Sequence, residues 1–574
     1  MQQADEDDFE KWEALVLHAS GLEGGVTRHS SPHVLEFVRM VFDCFLAKFP
    51  LFFGYWKKYA DLEFSIGNTE TVEMVYERGV SCIPCSVDLW MHYCSFKMDT
   101  CHNPDIVREL FERGAQFVGM DFQGHPFWDK YIEFENRVEE PSRVTKILTR
   151  AVHIPMYFFS RYYSKLQQLI HQRPVEELVS AEILDGLVTE LNNASGGIQM
   201  PALEFDRALR AKVDEYYFGI NHHTSTETMK RWEFEGRIKR AYFHVGDLEP
   251  EDLSNWRKYL DFEEGQGDYH RTAFLYERCL VTCALYEEFW LRYARWMFAQ
   301  GKDEDTRIIY AKASSILVPI ANTTIRLHWA RFEEKLGRFS VARDVHLAIL
   351  DQLPNHVPTF LSLANLERRQ RGNDAAIKLL EDHIHQQDIN VAGQLAAEQA
   401  RILAQCKGSV DEARQLFQDR SAAYATSQNY WISYLQFEIL QKSPKESDEA
   451  AHSRVKAVYE LMRTKAQFAP DVMSELSQYY MEYLLEHGDK DAAEEYMKLD
   501  KEVYGYVLFT ANAYPSPPRP SSPSRKPHFA NSARNFGITG SSVQCSKPSV
   551  IQVRKITDRS RDPGFSLNLP CSTS

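Results

Sequence analysis

One nine-residue pattern recurs along this chain, and a repeated unit constrains the fold more strongly than a single motif does. The string WKKYADLEF at 56–64 returns as WDKYIEFEN at 128–136, WRKYLDFEE at 256–264 and WISYLQFEI at 431–439. A catalytic motif needs one copy, whereas a unit that packs against its own neighbours has to be repeated. We therefore expect an array of similar structural units.

The pattern has Trp first, Tyr at +3, a small or aliphatic residue at +4, an apolar residue at +6 and usually Glu at +7. Neighbouring copies are 34 to 38 residues apart, as from 56 to 90 and from 90 to 128, a period typical of helix-pair solenoids. At 100° per residue the apolar positions share one arc of a helix. The predicted core residues are Trp56, Tyr59, Trp90, Tyr93, Trp128, Tyr131, Trp256, Tyr259, Trp290, Tyr293, Trp431 and Tyr434.

A second helix follows each copy of the pattern. It reads VYERGV at 75–80, LFERGA at 110–115, LTRAV at 148–152 and LYERCL at 275–280. Proline often follows it, as at 84 and 155, where a residue without an N–H cannot continue the helix. The sequence predicts an all-α fold, an α-solenoid of about a dozen helix pairs.

The Glu at +7 lies inside the apolar arc, where an unpaired charge would cost several kcal/mol. In three repeats an Arg follows that Glu 15 residues later, on the second helix. This constant spacing predicts three structural ion pairs inside repeats: Glu63 with Arg78, Glu135 with Arg150, and Glu263 with Arg278. A catalytic acid would not need several copies, so we interpret these residues as structural.

The charge is distributed unevenly along the chain. The net charge is −15, but residues 515–574 hold nine Lys/Arg against two Asp/Glu, so the rest carries −22. An acidic body binds phosphate backbones poorly, and any direct RNA contact should be local. The candidate is KRWEFEGRIKRAYFH at 230–244, with Arg237, Lys239 and Arg240 as the RNA-contacting residues. In the alternative, its aromatic residues face the solenoid core and its cations face solvent.

Motifs for catalysis, metals and cofactors are missing from the sequence. CIPC at 82–85, with Cys94, Cys101 and His102 downstream, has no second cysteine or histidine pair to complete a zinc site. No phosphate-binding loop or nucleophile motif occurs. We expect no enzymatic activity, no metal, no cofactor and no small-molecule substrate. Ten scattered cysteines and no long apolar run predict a reducing intracellular compartment and no membrane contact.

The paired motifs carry a family resemblance. Trp-x-x-Tyr with Phe-Glu, followed by Glu-Arg on a second helix, resembles the half-a-tetratricopeptide, or HAT, repeat of RNA-processing proteins over roughly residues 10–505. The order of the repeats is similar to that of HAT proteins associated with the U1 small nuclear ribonucleoprotein (U1 snRNP), which recognises the 5′ splice site. The resemblance implies a nuclear splicing scaffold with U1 snRNP proteins as partners. A module that binds RNA directly, or a scaffold of another complex such as 3′-end cleavage, is the alternative.

Breaks in the pattern suggest a division into segments. We predict an N-terminal HAT arm at 1–164, an irregular helical linker or elbow at 165–228, a C-terminal HAT arm at 229–505, and a disordered Pro/Ser-rich basic tail at 506–574. The aromatic-rich end of the second arm lacks the polar cap that a terminal repeat normally has. Together with the resemblance this predicts a homodimer, with Tyr479, Tyr480 and Tyr483 at its interface; in the alternative these residues are the last intramolecular core.

Overall fold

The computed structural model describes residues 9–194, 201–441, 448–488 and 491–504. In these ranges the regular structure is helical and no strand occurs, which confirms the predicted all-α solenoid of about a dozen helix pairs. The tail predicted at 506–574 lies outside the described residues. Among the helices that are described, none is long and apolar enough to cross a membrane.

The chain divides into two compact units, Met1–Pro319 and Ile320–Ser574. Both predicted arm boundaries, after residues 164 and 228, fall inside the first unit. The helices of the first unit are α1 (Phe9–Ser20), α2 (Pro32–Lys48), α3 (Phe53–Ile66), α4 (Thr69–Cys82), α5 (Val87–Thr100), α6 (Pro104–Val118), α7 (His125–Arg137), α8 (Pro141–Ala151), α9 (Phe159–Ile170), α10 (Ala181–Ala194), α11 (Ala202–Glu235), α12 (Pro250–Gln266), α13 (Tyr269–Thr282), α14 (Glu287–Ala299) and α15 (Asp303–Lys312).

The second unit continues the series of helix pairs. Its helices are α16 (Thr324–Lys335), α17 (Phe339–Gln352), α18 (Val357–Arg371), α19 (Asn373–Ile384), α20 (Ile389–Arg401), α21 (Val410–Arg420), α22 (Gln428–Leu440), α23 (Asp448–Lys465), α24 (Pro470–His487) and α25 (Ala492–Tyr504). Short π-helical turns follow α15 and α20, at Ala313–Leu317 and Ile402–Lys407. In each pair the first helix is called helix A and the second helix B. Among the helices discussed below, α3, α5, α7, α12, α14, α22 and α24 are A helices, and α2, α4, α6, α8, α11, α13, α15, α17, α21 and α23 are B helices.

Local chemistry sets the ends of the helices. Asn68, Ser86 and Asp268 cap the N-termini of α4, α5 and α13, each accepting a hydrogen bond from a backbone N–H of the first turn. Gly67 follows α3 with φ of 93°, a left-handed conformation that glycine adopts without strain, and it lets the chain reverse into α4.

The segment predicted as an elbow, 165–228, contains most of the 34-residue helix α11, which the sequence pattern did not indicate. This helix packs against α9. The Thr224 hydroxyl of α11 donates to the Val152 carbonyl at 2.8 Å, and the Tyr217 hydroxyl donates to the Leu178 carbonyl. Buried hydrogen bonds of this kind hold α11 firmly against the N-terminal repeats, so this segment is an ordered part of the first unit.

The chain beyond α11 returns to the turns that join the N-terminal repeats. Phe243 meets Phe52 edge to face, with ring centroids 5.0 Å apart. The Cys85 thiol lies 3.6 Å from the Glu277 carbonyl. Within the first unit, the start of the predicted C-terminal arm therefore packs along the turns of the N-terminal arm.

Candidate protein-interaction surfaces

Aromatic stacks join many of the helix pairs to the next. Tyr93 of α5 lies over Tyr76 of α4, with ring centroids 5.2 Å apart and 12° between the ring planes. Such pairs contribute about 0.5–1.5 kcal/mol beyond the burial of their area. The same stack, from a helix B to the Tyr of the following helix A, recurs as Phe42–Tyr59, Phe111–Tyr131, Phe234–Tyr259, Tyr276–Tyr293, Phe417–Tyr434 and Tyr459–Tyr480.

All twelve predicted core residues are buried, none of them more than 4% exposed. The indole N–H of several core tryptophans donates to a carbonyl in the turn before its own helix. Trp56 donates to Pro50 at 2.8 Å, and Trp90 donates to Pro84 at 2.8 Å. The tryptophan therefore fills the core and also ties the incoming turn to helix A.

The buried Glu at +7 binds the preceding helix B, so the three predicted pairs inside repeats are wrong. In the first of these contacts Arg39 Nε lies 2.7 Å from Glu63 Oε1, and Arg39 Nη2 lies 2.8 Å from Glu63 Oε2. This two-point geometry recurs in Arg108–Glu135, Arg231–Glu263 and Arg414–Glu438. It replaces the predicted pairs Glu63–Arg78, Glu135–Arg150 and Glu263–Arg278.

The aromatic stack explains this change of partner. Positions +3 and +7 are one helical turn apart, so they lie on the same face of helix A. Because the Tyr at +3 packs on the preceding helix B, the residue at +7 faces that helix as well. In the second repeat the charges are exchanged, and Lys97 at +7 lies 2.6 Å from Glu73. The contact is thus kept while its polarity is reversed.

The arginines expected to bind these Glu residues have other partners. Arg78 lies over the Trp56 ring of its own repeat, 5.4 Å from the ring centroid, and its Nη1 is 2.7 Å from Asp43 Oδ1 on the preceding helix B. Arg113, Arg150 and Arg278 stack in the same way on Trp90, Trp128 and Trp256. Equivalent ion pairs between successive B helices are Arg113–Glu77, Arg150–Glu112, Arg278–Glu235 and Lys312–Glu277.

The core Tyr hydroxyls complete this network. Tyr93 donates to Glu77 at 2.6 Å and Tyr131 donates to Glu112 at 2.8 Å. Burial, reinforced by the hydrogen bond to Glu77, raises the pKa of Tyr93, so its hydroxyl stays protonated and acts as a donor. Each of these carboxylates thus binds one Tyr and one Arg, and the Arg side chains that reach the surface have their charge balanced.

One of these arginines is buried together with two carboxylates. Arg278 Nη2 lies 2.8 Å from Glu235 Oε2, and its Nε lies 3.4 Å from Asp121 Oδ2 in the turn between α6 and α7. Burial raises the pKa of Asp121, and the charge of Arg278 opposes that rise. Arg278 therefore connects the N-terminal repeats to α11 and α13 inside the first unit.

The candidate RNA-contacting residues are neutralised or engaged in hydrogen bonds. Arg237 and Lys239 form ion pairs, and Arg240 donates to a carbonyl; their partners are Glu233, Glu249 and Gly246, respectively. The neighbouring aromatic residues divide, since Phe243 is buried while Trp232 and Tyr242 are exposed. The segment therefore lacks a row of free cations, although two of its rings reach solvent.

The candidate dimer residues have different environments. Tyr480 is fully buried, stacks on Tyr459 at 4.3 Å and donates to Glu495 at 3.0 Å. Tyr483 is also buried, whereas Tyr479 is 38% exposed. Tyr480 and Tyr483 belong to the intramolecular core, which corrects their assignment to the interface, and only Tyr479 is available to a second chain.

Four cysteines of the described residues, Cys85, Cys94, Cys279 and Cys283, are buried in the core. Burial raises the pKa of Cys85 to about 12, so it is a neutral thiol. In the ranges that the structure describes, no group of three potential metal-ligating side chains is assembled.

An open groove of about 650 Å³ lies between α8 and the segment from Glu176 to Tyr217. The residues that line it include the apolar Met120, Ile154 and Val179 and the charged Lys146 and Glu176. A groove of this size and mixed lining can accommodate a few side chains of a partner protein.

Comparisons with known proteins agree with this arrangement. The PRP39 N-terminal HAT repeat family matches residues 1–168, and the PRP39 C-terminal HAT repeat family matches residues 229–369. Pre-mRNA-processing factor 39 of Schizosaccharomyces pombe is 41% identical over 516 residues, which cover 87% of this chain and 84% of that protein.

Two more distant similarities were found. The U1 small nuclear ribonucleoprotein component PRP42 of Saccharomyces cerevisiae is 22% identical over 51% of this chain and 55% of its own length. The crystal structure of CstF-77 has a TM-score of 0.50 and 15% identity, covering 82% of this chain and 92% of that chain, and it supports the solenoid fold alone. The family matches and the relative from S. pombe show that this chain belongs to the PRP39 family of HAT-repeat pre-mRNA-processing factors.

Proposed function

We propose that this chain is a non-catalytic scaffold of pre-mRNA splicing. It acts in the nucleus, holds protein subunits of the U1 snRNP and supports recognition of the 5′ splice site. Membership of the PRP39 family supports the splicing role. The relative PRP42 is named as a U1 snRNP component, and we extend that association to this chain.

The main support for the scaffold proposal is that the residues of the repeat motif contact one another inside the array. Its Tyr, Glu and Arg residues contact the neighbouring helix pair, as Glu135 contacts Arg108 at 2.8 Å, and its Trp fills the core of its own repeat. These residues are therefore committed to holding the array together. Function is left to the outer surfaces, and extended solenoids use such surfaces to bind proteins over large areas.

Direct RNA binding is the second candidate, and the charges disfavour it. Affinity for RNA comes largely from cations that neutralise phosphates. At the candidate RNA segment, Arg237 and Lys239 are already paired with carboxylates at 2.9 and 2.5 Å. A scaffold of 3′-end cleavage is a third candidate, but the likeness to CstF-77 concerns the fold only.

We also propose that the scaffold is a homodimer joined through its C-terminal repeats. On the last helix pair Tyr479, Leu485 and Met497 are exposed, although a terminal repeat normally presents a polar face. Changing these three residues to Ser should reduce the mass in light scattering from two chains to one, with helicity retained. An unchanged mass would exclude this surface as the dimer interface.

The scaffold function is tested with purified components. The full chain is mixed with purified U1 snRNP, and association is followed by sedimentation, with U2 snRNP as the matched control particle. We expect co-sedimentation with U1 only, and we expect it to persist after nuclease has removed accessible RNA. Association that is lost with nuclease and falls steeply with salt would favour direct RNA binding.

A further inference from the structure

Two methionines are exposed on neighbouring B helices of the first unit. Met40 of α2 is 44% exposed and Met74 of α4 is 61% exposed. They occupy the same position in their repeats, two residues before the ring that stacks on the next helix A, which is Phe42 in α2 and Tyr76 in α4. Methionine is unbranched and polarisable, and surfaces that bind proteins often use it for this reason.

The two methionines belong to one surface, because α2 and α4 are in direct contact. Asp43 Oδ1 of α2 lies 2.7 Å from Arg78 Nη1 of α4. Met40 precedes Asp43 by three positions, and Met74 precedes Arg78 by four. Residues three or four apart are neighbours on the surface of a helix. Each methionine therefore lies about one helical turn from this contact.

On α2 this surface forms an open groove of about 580 Å³. The residues that line it include the apolar Leu35, Met40 and Cys44 and the acidic Glu36 and Asp43. Its volume is within the range of ligand-binding clefts. The groove can therefore receive apolar side chains from a partner, beside acidic groups.

The charges around the methionines are predominantly negative. Asp43 and Glu77 are bound to Arg78 and Arg113 at 2.7 and 2.6 Å, so those two arginines are already neutralised. Three further carboxylates are exposed and form no ion pair with another described residue: Glu36 of α2, Glu70 of α4 and Glu109 of α6. Glu36 and Glu70 each precede an exposed methionine by one helical turn, so both helices present an acid beside an apolar side chain.

These charges indicate the chemistry of the partner. Unpaired carboxylates repel a phosphate backbone, so this surface does not suit RNA. They attract Lys and Arg side chains, since complementary charges speed association and select the correct partner. The exposed methionines and the groove require apolar side chains on the same partner. A basic amphipathic segment has both properties, and such segments bind by laying their apolar side in a groove.

We propose that Glu36, Met40, Glu70 and Met74 form a docking site for a basic amphipathic segment of a U1 snRNP protein. This inference rests on the proposed scaffold function and names the surface and the chemistry of the contact. Apolar side chains of the segment pack on the two methionines and in the groove of α2. Its Lys or Arg side chains pair with Glu36 and Glu70.

The test uses the full chain and purified U1 snRNP, with association measured by sedimentation. Glu36→Lys combined with Glu70→Lys should weaken association by about tenfold or more, because like charges then face each other. Met40→Ser combined with Met74→Ser should also weaken it, because the apolar contact is lost. All four side chains are at the surface, so circular dichroism should show unchanged helicity in both variants.

The matched control reverses two acids on another helix of the same unit. Glu182 and Glu190 are exposed on α10, and Glu182 stands in the first turn of its helix as Glu70 does. Glu182→Lys combined with Glu190→Lys changes the net charge by the same amount as the test variant. It should leave association with U1 snRNP unchanged.

Photocrosslinking identifies the occupant of the site. Met74 is replaced by the photoreactive p-benzoylphenylalanine, and the crosslinked segment is located by mass spectrometry. We expect a segment of a U1 protein that carries a net positive charge and contains Leu, Met or Phe.

The outcomes separate this inference from the scaffold function. If wild type and both double variants associate equally with U1 snRNP, the docking site is overturned and the scaffold function stands. A crosslink to RNA, to an acidic segment or to no U1 protein would also overturn the docking site. If the wild type does not associate with U1 snRNP, the scaffold function is contradicted, and the docking inference with it.

Discussion

Arg278 lies against the Asp121 carboxylate, with Nε and Oδ2 3.4 Å apart, although the two residues belong to repeats that are distant in the sequence. Both side chains are buried, and Glu235 binds the same guanidinium. A single arginine thereby contacts two carboxylates at the junction between the N-terminal repeats and α11. The contact joins the turn between α6 and α7 to α11 and α13.

We predict that Arg278→Met destabilises the first unit by about 3–5 kcal/mol, because it leaves buried carboxylates without a counter-charge. Arg78→Met is the matched control, since Arg78 has the equivalent repeat position but is paired with Asp43 near the surface. Exposed pairs contribute about 0–1 kcal/mol. Chemical denaturation measures both variants. Similar losses for the two would show that burial of the Arg278 cluster is not what stabilises the unit.

A double-mutant cycle should couple Glu63 to Arg39 and not to Arg78. The Arg39–Glu63 contact is bidentate, and contacting charged pairs have coupling energies of about 0.5–3 kcal/mol. Cycles with Glu63→Gln combined with Arg39→Met, or with Arg78→Met, are compared by urea unfolding. If Glu63 were coupled more strongly to Arg78 than to Arg39, the ion pair inside the repeat, Glu63–Arg78, would be the correct one.

The adjacent tyrosines of α24 should respond differently to substitution. Tyr480→Ser removes a buried ring and its stack on Tyr459, and we expect a loss of about 3–5 kcal/mol, as for other buried aromatic residues. Tyr479→Ser changes a partly exposed side chain and should alter stability by about 0.5 kcal/mol or less. Thermal unfolding of both variants measures the two losses of stability. Equal effects would mean that Tyr480 is not a core residue.

His346 should make the second unit sensitive to acid. Burial lowers the pKa of His346, so the folded state keeps the ring neutral while the unfolded chain protonates it below about pH 6.5. Its contribution to stability is complete above that pH and is lost as the pH falls. His346→Phe supplies the aromatic ring that other B helices have, and its unfolding midpoint should fall less between pH 7.5 and 5.5 than that of the wild type. An equal fall of the unfolding midpoint in the variant and the wild type would exclude His346 as the source of the acid sensitivity.

The sequence was sufficient for the fold and the core because both depend on periodicity. Trp56 and Tyr59 recur at a helix-pair spacing, and burial of such a stripe requires a neighbour of the same kind. The long helix α11 was missed because its surface is largely polar and the Trp/Tyr pattern is absent from it. Tyr480 was misassigned because Ser477 stands where other repeats have Trp, which concealed the motif.

The ion-pair partners were mispredicted because spacing along the chain does not report which neighbouring helix a side chain faces. A signal was nevertheless present, since an Arg precedes the stacking aromatic residue by three positions wherever the next repeat has Glu at +7. Examples are Arg39 before Phe42 and Arg108 before Phe111. In the second repeat, Glu73 precedes Tyr76 by three positions and Lys97 occupies +7. This exchange of charges within one chain identifies the contact between neighbouring pairs.

The central claim, that this chain is a scaffold bound to the U1 snRNP through proteins, is tested most directly in cells. The full chain is tagged and purified from its own organism at physiological salt, and the small nuclear RNAs and proteins that accompany it are quantified with and without nuclease. We predict enrichment of U1 over the other spliceosomal RNAs, and retention of U1 proteins after nuclease treatment. Absence of U1 enrichment, or loss of every U1 protein with the RNA, would contradict the account.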